Sequence, residues 1–241
     1  MDVSDMTVNK PLIASGKIPQ LFRASASADW KARRVLINFY SVNTDGKKSI
    51  DHAKCIVKLE DSSKWSKDWR RNAYLIKSRI ESLEQGVDQG QSHKLKRGLA
   101  YKLFSALVDY GQCYQGMQEV TLNSAQLEAT ARVRFQTTEK EENHYFSPYW
   151  IDSLGHLAGF VMNANDRIDS KCQVFVNHGW DSMCCAIQFS RNKTYQTYIR
   201  MQHIGGTMYA GDTYVFDGDD VVALYQSVKV RLAPFSHSNI E

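Results

Sequence analysis

Residues 148–163 read PYWIDSLGHLAGFVMN and hold a single carboxylate, Asp152. Apolar residues fall nearly all round a helix drawn on this stretch, which marks a buried helix. A carboxyl group among apolar neighbours has a shifted proton affinity and can do proton chemistry. Asp152 also has a structural reading. Pro148 suits a first helical turn, so Asp152 lies near a helix N-terminus, where the dipole and free amides favour its charge. His156 lies at i+4 and can meet Asp152 on one helical face. Such a pair is more often structural than catalytic. In FVNHGW, residues 175–180, Asn177 and His178 sit where a strand begins. An asparagine amide there can donate to a developing oxyanion. His52 and His203 lie among charged or polar neighbours and read as surface or packing residues.

No HExxH, GxSxG or P-loop pattern occurs, so zinc protease, serine hydrolase and NTPase chemistries have no motif support. Asp217, Asp219 and Asp220 lack a calcium-loop spacing and read as a turn. Cysteines 55, 113, 172, 184 and 185 are odd in number and form no CxxC. Reduced thiols of a cytoplasmic protein are expected, and no metal site.

The chain has 241 residues, 43% hydrophobic and 23% charged, which excludes wholesale disorder and collagen-like repeats. The least charged stretch, 147–165, is too polar for a membrane span, and MDVSDMTVNK has no secretory pattern. No membrane partner is therefore expected. A net charge of +4 falls far short of a nucleic-acid binder's. Arg70, Arg71, Lys94, Lys96 and Arg97 face either an acidic partner or, more ordinarily, solvent.

Several elements must position these residues. Strands are predicted at 6–12, 21–28, 34–41 and 48–59, with a turn at Asn43-Thr44-Asp45-Gly46 between the last two. Asp61 caps a helix that carries Trp65, Trp69, Leu75, Ile76, Ile80 and Leu83 and stops at Gly86. Polar residues 87–92 read as a linker between two halves, 1–92 and 93–241. A second helix is predicted over 97–110, with Leu99, Leu103, Ala106 and Val108 mostly inward. A strand follows at 127–136, then the buried helix, then strands at 174–189, 193–202, 207–216 and 221–232. One buried helix followed by an antiparallel meander suggests an α+β fold, a curved sheet wrapped around a helix.

The segments DMTVNKPLI, LFRASASADW, YKLFSALVDYGQCYQGMQEV, PYWIDSLGHLAGFVMN, FVNHGW, KTYQTYIRM and AGDTYVFDGDDVVALYQSVK, together with the Trp65–Trp69–Tyr74–Leu75 helix, carry a resemblance. In this order they resemble the product template domain of fungal non-reducing polyketide synthases. The likeness covers nearly the whole chain and leans toward enzymes for conidial pigment, melanin or naphthopyrone. It implies a dehydratase-like double hot-dog fold, with an incomplete N-terminal half in 1–92 and a C-terminal half in 93–241. It further implies a pocket that receives a poly-β-keto chain on the phosphopantetheine arm of an acyl carrier protein. There the domain directs regioselective aldol cyclisation and dehydration to an aromatic ring. No cofactor is implied, because both steps are proton transfers.

The family's catalytic pair is a His from the first half and an Asp on the second central helix. The Asp corresponds to Asp152 and the family's pocket asparagine to Asn177, with His156 and His178 as further candidate substrate-binding residues. The family's His and first helix precede the DMTVNKPLI strand, where this sequence begins, and KVRLAPFSHSNIE replaces the usual basic tail. The expectation is a domain inactive alone, with an N-terminal half short of cover and a homodimer left open. The alternative is a non-catalytic hot-dog module for binding or assembly, or the relic of a polyketide synthase gene.

Overall fold

The computed structural model describes residues 1–12, 19–105, 108–138, 144–168 and 173–234. Ala106 and Cys172, named above, lie outside them.

The eleven strands among these residues are β1 (Asp2–Val8), β2 (Phe22–Asp29), β3 (Arg34–Val42), β4 (Lys48–Lys58), β5 (His93–Lys96), β6 (Met117–Asn123), β7 (Glu128–Val133), β8 (Gln173–Cys185), β9 (Tyr195–Gly205), β10 (Met208–Asp217) and β11 (Asp220–Pro234). They form one antiparallel sheet in the order β2-β3-β4-β1-β8-β11-β10-β9-β7-β6-β5. The helices are α1 (Ser62–Gln85), α2 (Arg97–Phe104) and α3 (Pro148–Asn163), with a short 3-10 turn at Gln112–Tyr114.

Helix α1 starts where Asp61 offers a side-chain cap. Its Oδ1 accepts the Ser63 N–H at 3.0 Å and its Oδ2 accepts the Ser63 hydroxyl at 2.9 Å. Trp69, Ala73, Ile80 and Leu83 fall on one stripe and are buried. Helix α3 starts with Pro148 in its first turn and buries Leu154, Leu157, Phe160, Val161 and Met162 almost completely. Each such side chain contributes about 1.5–3 kcal/mol of hydrophobic stabilisation.

The two helices cover opposite faces of strands β6 to β11. Alternate residues of one strand point to opposite faces. Thus Val215 of β10 and Ile199 of β9 join the cluster around α3, whereas Phe216 and Tyr198 join the cluster around α1. A buried polar contact fixes α1 to the sheet. Arg79 donates to both oxygens of Glu128 on β7, at 3.0 and 2.6 Å, and the Tyr198 hydroxyl donates to the same carboxylate. Glu128 is fully buried, so its charge depends on these partners.

Strands β1 to β4 have no helix over them among the described residues. Val42 and Cys55 are their only buried apolar side chains, and Leu36 is 41% exposed. Pairing places Ala24, Ala26 and Ala28 beside Phe39, Ile37 and Val35, which leaves one face of this region apolar. Strand β1 joins the two regions, because it pairs with β4 on one side and β8 on the other.

Three expectations need correction. The first strand spans Asp2–Val8 rather than 6–12. Its register against β8 runs from Asp2 opposite Cys184 to Thr7 opposite Gly179, and Pro11 has no N–H to continue a ladder. The helix expected over 97–110 ends at Phe104. It turns Ala100, Tyr101 and Phe104 inward, while Leu99, Leu103 and Val108 are 58%, 47% and 41% exposed. The aromatic stripe wins because Phe104 meets Phe160 edge-on, with centroids 5.3 Å apart. Strands β5 and β6 were not expected. They extend the sheet beyond β7: β6 pairs with β7 as a hairpin that closes at Asn123 opposite Glu128, and β5 pairs with β6 across the intervening helix α2.

Candidate active site

A cavity of about 470 Å³ lies between α3 and the β8–β11 side of the sheet. Phe104, Ile151, Phe175, Trp180, Met183 and Val228 make most of its wall apolar. The polar side chains that reach it are Asp152, His156, Asn163 and Asn177, with the phenols Tyr110 and Tyr225.

Asp152 lies in the second turn of α3, beyond the free amides of the helix start. The bonding partner of its carboxylate is His156, whose Nε2 lies 2.7 Å from Oδ2. The Asp152 side chain is 46% exposed while that of His156 is 1% exposed. The carboxylate therefore stands at the cavity surface and the imidazole supports it from beneath.

Both nitrogens of His156 are engaged. Its Nδ1 lies 3.1 Å from the Tyr101 hydroxyl, which accepts the Met117 N–H at 3.0 Å. The carboxylate partner assigns the ring proton to Nε2 and leaves Nδ1 as the acceptor of the Tyr101 proton. The Tyr114 carbonyl, 3.2 Å from that hydroxyl, is an alternative acceptor for the same proton. Rings of Tyr101, Phe104 and Tyr110 enclose the imidazole, with Tyr110 at a centroid distance of 4.2 Å. Burial and the Asp152 charge hold the Tyr110 phenol well above the usual tyrosine value, so it keeps its proton.

The segment before α3 is packed closely against this site. A Cβ on Gly116 would come within 2.7 Å of the Ser153 Cβ, so only glycine allows the start of β6 to approach α3 this nearly. Ser153 in turn donates its hydroxyl to the Tyr114 carbonyl at 2.8 Å.

Asn177 lines the opposite wall, on β8. Its Oδ1 accepts the Gly179 N–H at 2.8 Å, which leaves the amide NH2 as the group it offers to a ligand. Gly179 has φ +132°, and a Cβ there would lie 2.0 Å from the Met6 carbonyl oxygen of β1. Trp180 lines the cavity and donates its indole N–H to the Val3 carbonyl at 2.9 Å. The junction between β1 and β8 therefore also sets this wall.

The structure brings Asp152, His156 and Asn177 to one cavity. It does not bring His178 there: His178 is partly buried on β8 and is not part of the lining. His52 is a buried packing residue, bonded to the Ser41 hydroxyl at 2.6 Å and the Lys10 carbonyl at 3.0 Å. His203 lies at the surface against the Gly206 carbonyl. Most of the candidate basic residues already have partners within the chain: Arg70 lies 3.9 Å from Asp220, Lys94 and Lys96 both reach Glu119, and Arg97 donates to the Gln136 side chain at 2.5 Å. Cys55, Cys184 and Cys185 are buried and Cys113 is partly buried, all without a disulfide. Burial pushes the Cys184 and Cys185 thiols up to about 11 and about 12. Among the described residues no three His, Cys, Asp or Glu side chains gather as a metal site, and no helix is long and apolar enough to cross a membrane. Tyr101 and Tyr110 were missed as site residues, although both lie in the YKLFSALVDYGQCYQGMQEV segment.

The arrangement has the architecture of a hot-dog dehydratase. The dehydratase domain of RzxB from Pseudomonas fluorescens superposes with a TM-score of 0.66 at 14% identity, covering 95% of this chain and 75% of that one. The dehydratase domain from the CurJ module of curacin polyketide synthase gives 0.68 at 14% identity, over 97% and 75%. The polyketide synthase dehydratase N-terminal domain family matches residues 81–238. The chain belongs to that family. It is 57% identical to a non-reducing polyketide synthase of Byssochlamys spectabilis over 234 residues, 97% of this chain. It is 51% identical to the conidial pigment polyketide synthase of Aspergillus fumigatus over 231 residues, 96% of this chain. In both cases the match spans 11% of the relative's length.

Proposed function

We propose that this chain is a product-template-type domain of polyketide biosynthesis, which guides aldol cyclisation and dehydration of a poly-β-keto chain toward an aromatic pigment-type product. The observation that carries the reading is the half-exposed Asp152 carboxylate, held by His156 at the surface of an apolar cavity, with the Asn177 amide on the opposite wall. An acyl carrier protein of a polyketide synthase is the partner that would deliver the chain on its phosphopantetheine arm, in the cytoplasm, and a second copy of the chain is a further candidate partner.

A methylene between two carbonyls is acidic enough for a positioned base to remove its proton. General base catalysis of this kind contributes typically ~10²–10⁴-fold. Asp152 would orient that base or return a proton to the leaving hydroxyl. The Asn177 amide would hold the enolate or alkoxide oxygen. Cavity shape would decide which carbons meet.

Neither His156 nor His178 fills the base's role in this chain. His156 has both nitrogens engaged, and His178 lies outside the lining. This favours a second reading, in which the chain by itself binds a polyketide without turning it over. Incubation with a carrier-bound poly-β-ketone tests both, with product profiling and a carrier-binding measurement in parallel. The chain alone should bind and give only the background mixture. A regioselective product from the chain alone would contradict this assignment of the histidines, and absence of binding would contradict both readings.

A further inference from the structure

We infer that Tyr110 is a second hydrogen-bond donor of this cavity, directing its phenol O–H to a substrate carbonyl oxygen. The inference rests on the cavity being a polyketide site, as proposed above.

Two tyrosines line the cavity, and they differ in what their hydroxyls do. That of Tyr225 is committed, since it donates to the Ile151 carbonyl at 3.2 Å and is buried. The Tyr110 hydroxyl makes no hydrogen bond to any described residue. Nearby, Tyr101 shows the contrast: its hydroxyl accepts the Met117 N–H and has two acceptors within reach of its proton, His156 Nδ1 and the Tyr114 carbonyl. A partly buried phenol in a mostly apolar wall keeps a free polar group at a cost unless a ligand or water meets it.

The Tyr110 ring itself is held firmly. It lies tilted against His156 at 4.2 Å, meets Phe104 edge-on at 5.3 Å and Tyr101 at 6.1 Å, and its carbonyl accepts the Gln115 side-chain amide at 2.7 Å. The phenol is thus a preorganised donor on a rigid ring, the arrangement that stabilises charge developing on oxygen. Its raised proton affinity keeps the O–H intact at neutral and mildly alkaline pH. Asp152 carries a negative charge beside it and can only accept while ionised. Tyr110 and the Asn177 amide are therefore the groups suited to a carbonyl oxygen, and Asp152 to a proton.

Tyr110→Phe removes the hydroxyl and keeps the ring. The probes are 1-tetralone, a bicyclic aryl ketone, and tetralin, its oxygen-free counterpart, each titrated against the 241-residue chain by calorimetry. The substitution should weaken 1-tetralone binding about three- to tenfold, the value of one hydrogen bond, and leave tetralin binding unchanged. In infrared spectra of bound carbonyl-labelled 1-tetralone, the C=O stretch should rise in frequency in the variant as the donor is lost. Unchanged tetralin affinity also shows that the cavity is intact. Equal weakening of both probes would make Tyr110 a packing residue and overturn the inference, as would unchanged 1-tetralone binding and spectrum. Failure of the unsubstituted chain to bind either probe would overturn the reading of the cavity along with it.

Discussion

Asp152 stands at the cavity surface because His156, one helical turn on, takes one of its oxygens from below. An asparagine in its place still offers an oxygen to the His156 N–H. Asp152→Asn should therefore change unfolding free energy by less than about 1 kcal/mol, since that hydrogen bond survives in neutral form. A calorimetric melt checks this, and a large loss would return Asp152 to a purely structural role. Much of this site was legible in the sequence. Asp152 and His156 share one helix, so their spacing alone puts them in contact, and Asn177 follows from a local motif. His178 was expected beside them, but it is not among the residues that line the cavity, although its strand neighbours Val176, Asn177 and Trp180 are. Tyr101, Tyr110 and Glu128 were not legible as functional or buried polar residues. Their partners lie 55, 46 and 49 residues away in the chain at His156, His156 and Arg79, and no local pattern records such contacts.

Element boundaries followed wherever caps and periodicity agreed, as in α3, which was expected over the residues it occupies. Helix α2 failed on its face. Its sequence RGLAYKLF offers a leucine stripe and an aromatic stripe, and only the tertiary surroundings of Phe160 and His156 select the aromatic one. Helix α1 depends on more than its apolar stripe. Removal of the Arg79 guanidinium by Arg79→Met would leave the fully buried Glu128 carboxylate with the Tyr198 hydroxyl as its remaining donor among the described residues. Loss of one partner from a fully buried pair costs about 3–5 kcal/mol, and the 42% exposure of the Arg79 side chain puts this pair at or below the lower end of that range. Arg79→Met should lower stability by about 2–3 kcal/mol in denaturant unfolding. The double variant Arg79→Met with Glu128→Gln should recover part of it, because no buried charge is then stranded. A single variant as stable as the parent would remove this contact from the account of how α1 is held.

Across the whole molecule, cover is unequal. Strands β6 to β11 lie between α1 and α3, while β1 to β4 expose an apolar face among the described residues. Elements with few buried contacts open most readily. Amide exchange should therefore be faster in β2, β3 and β4 than in β9, β10 and β11, and light scattering should show association through the uncovered face. Equal protection in both regions of a monodisperse monomer would contradict this. The hot-dog architecture was legible from the order of motifs. The continuity of the sheet through β1 and β8 was not, since it rests on pairing between residues about 180 positions apart. The same junction shapes the Asn177 wall, so the uncovered region and the site are mechanically joined.

The central claim is that Asp152 serves polyketide ring closure within this cavity. The measurement that tests it most directly is the product profile from a carrier-bound poly-β-ketone, with this chain joined to the segment that precedes the matching region in the Byssochlamys spectabilis relative. The account predicts one dominant aromatic product from the joined protein, and only the background mixture when Asp152→Asn is introduced into an equally stable fold. The same dominant product from the Asp152→Asn protein would contradict it.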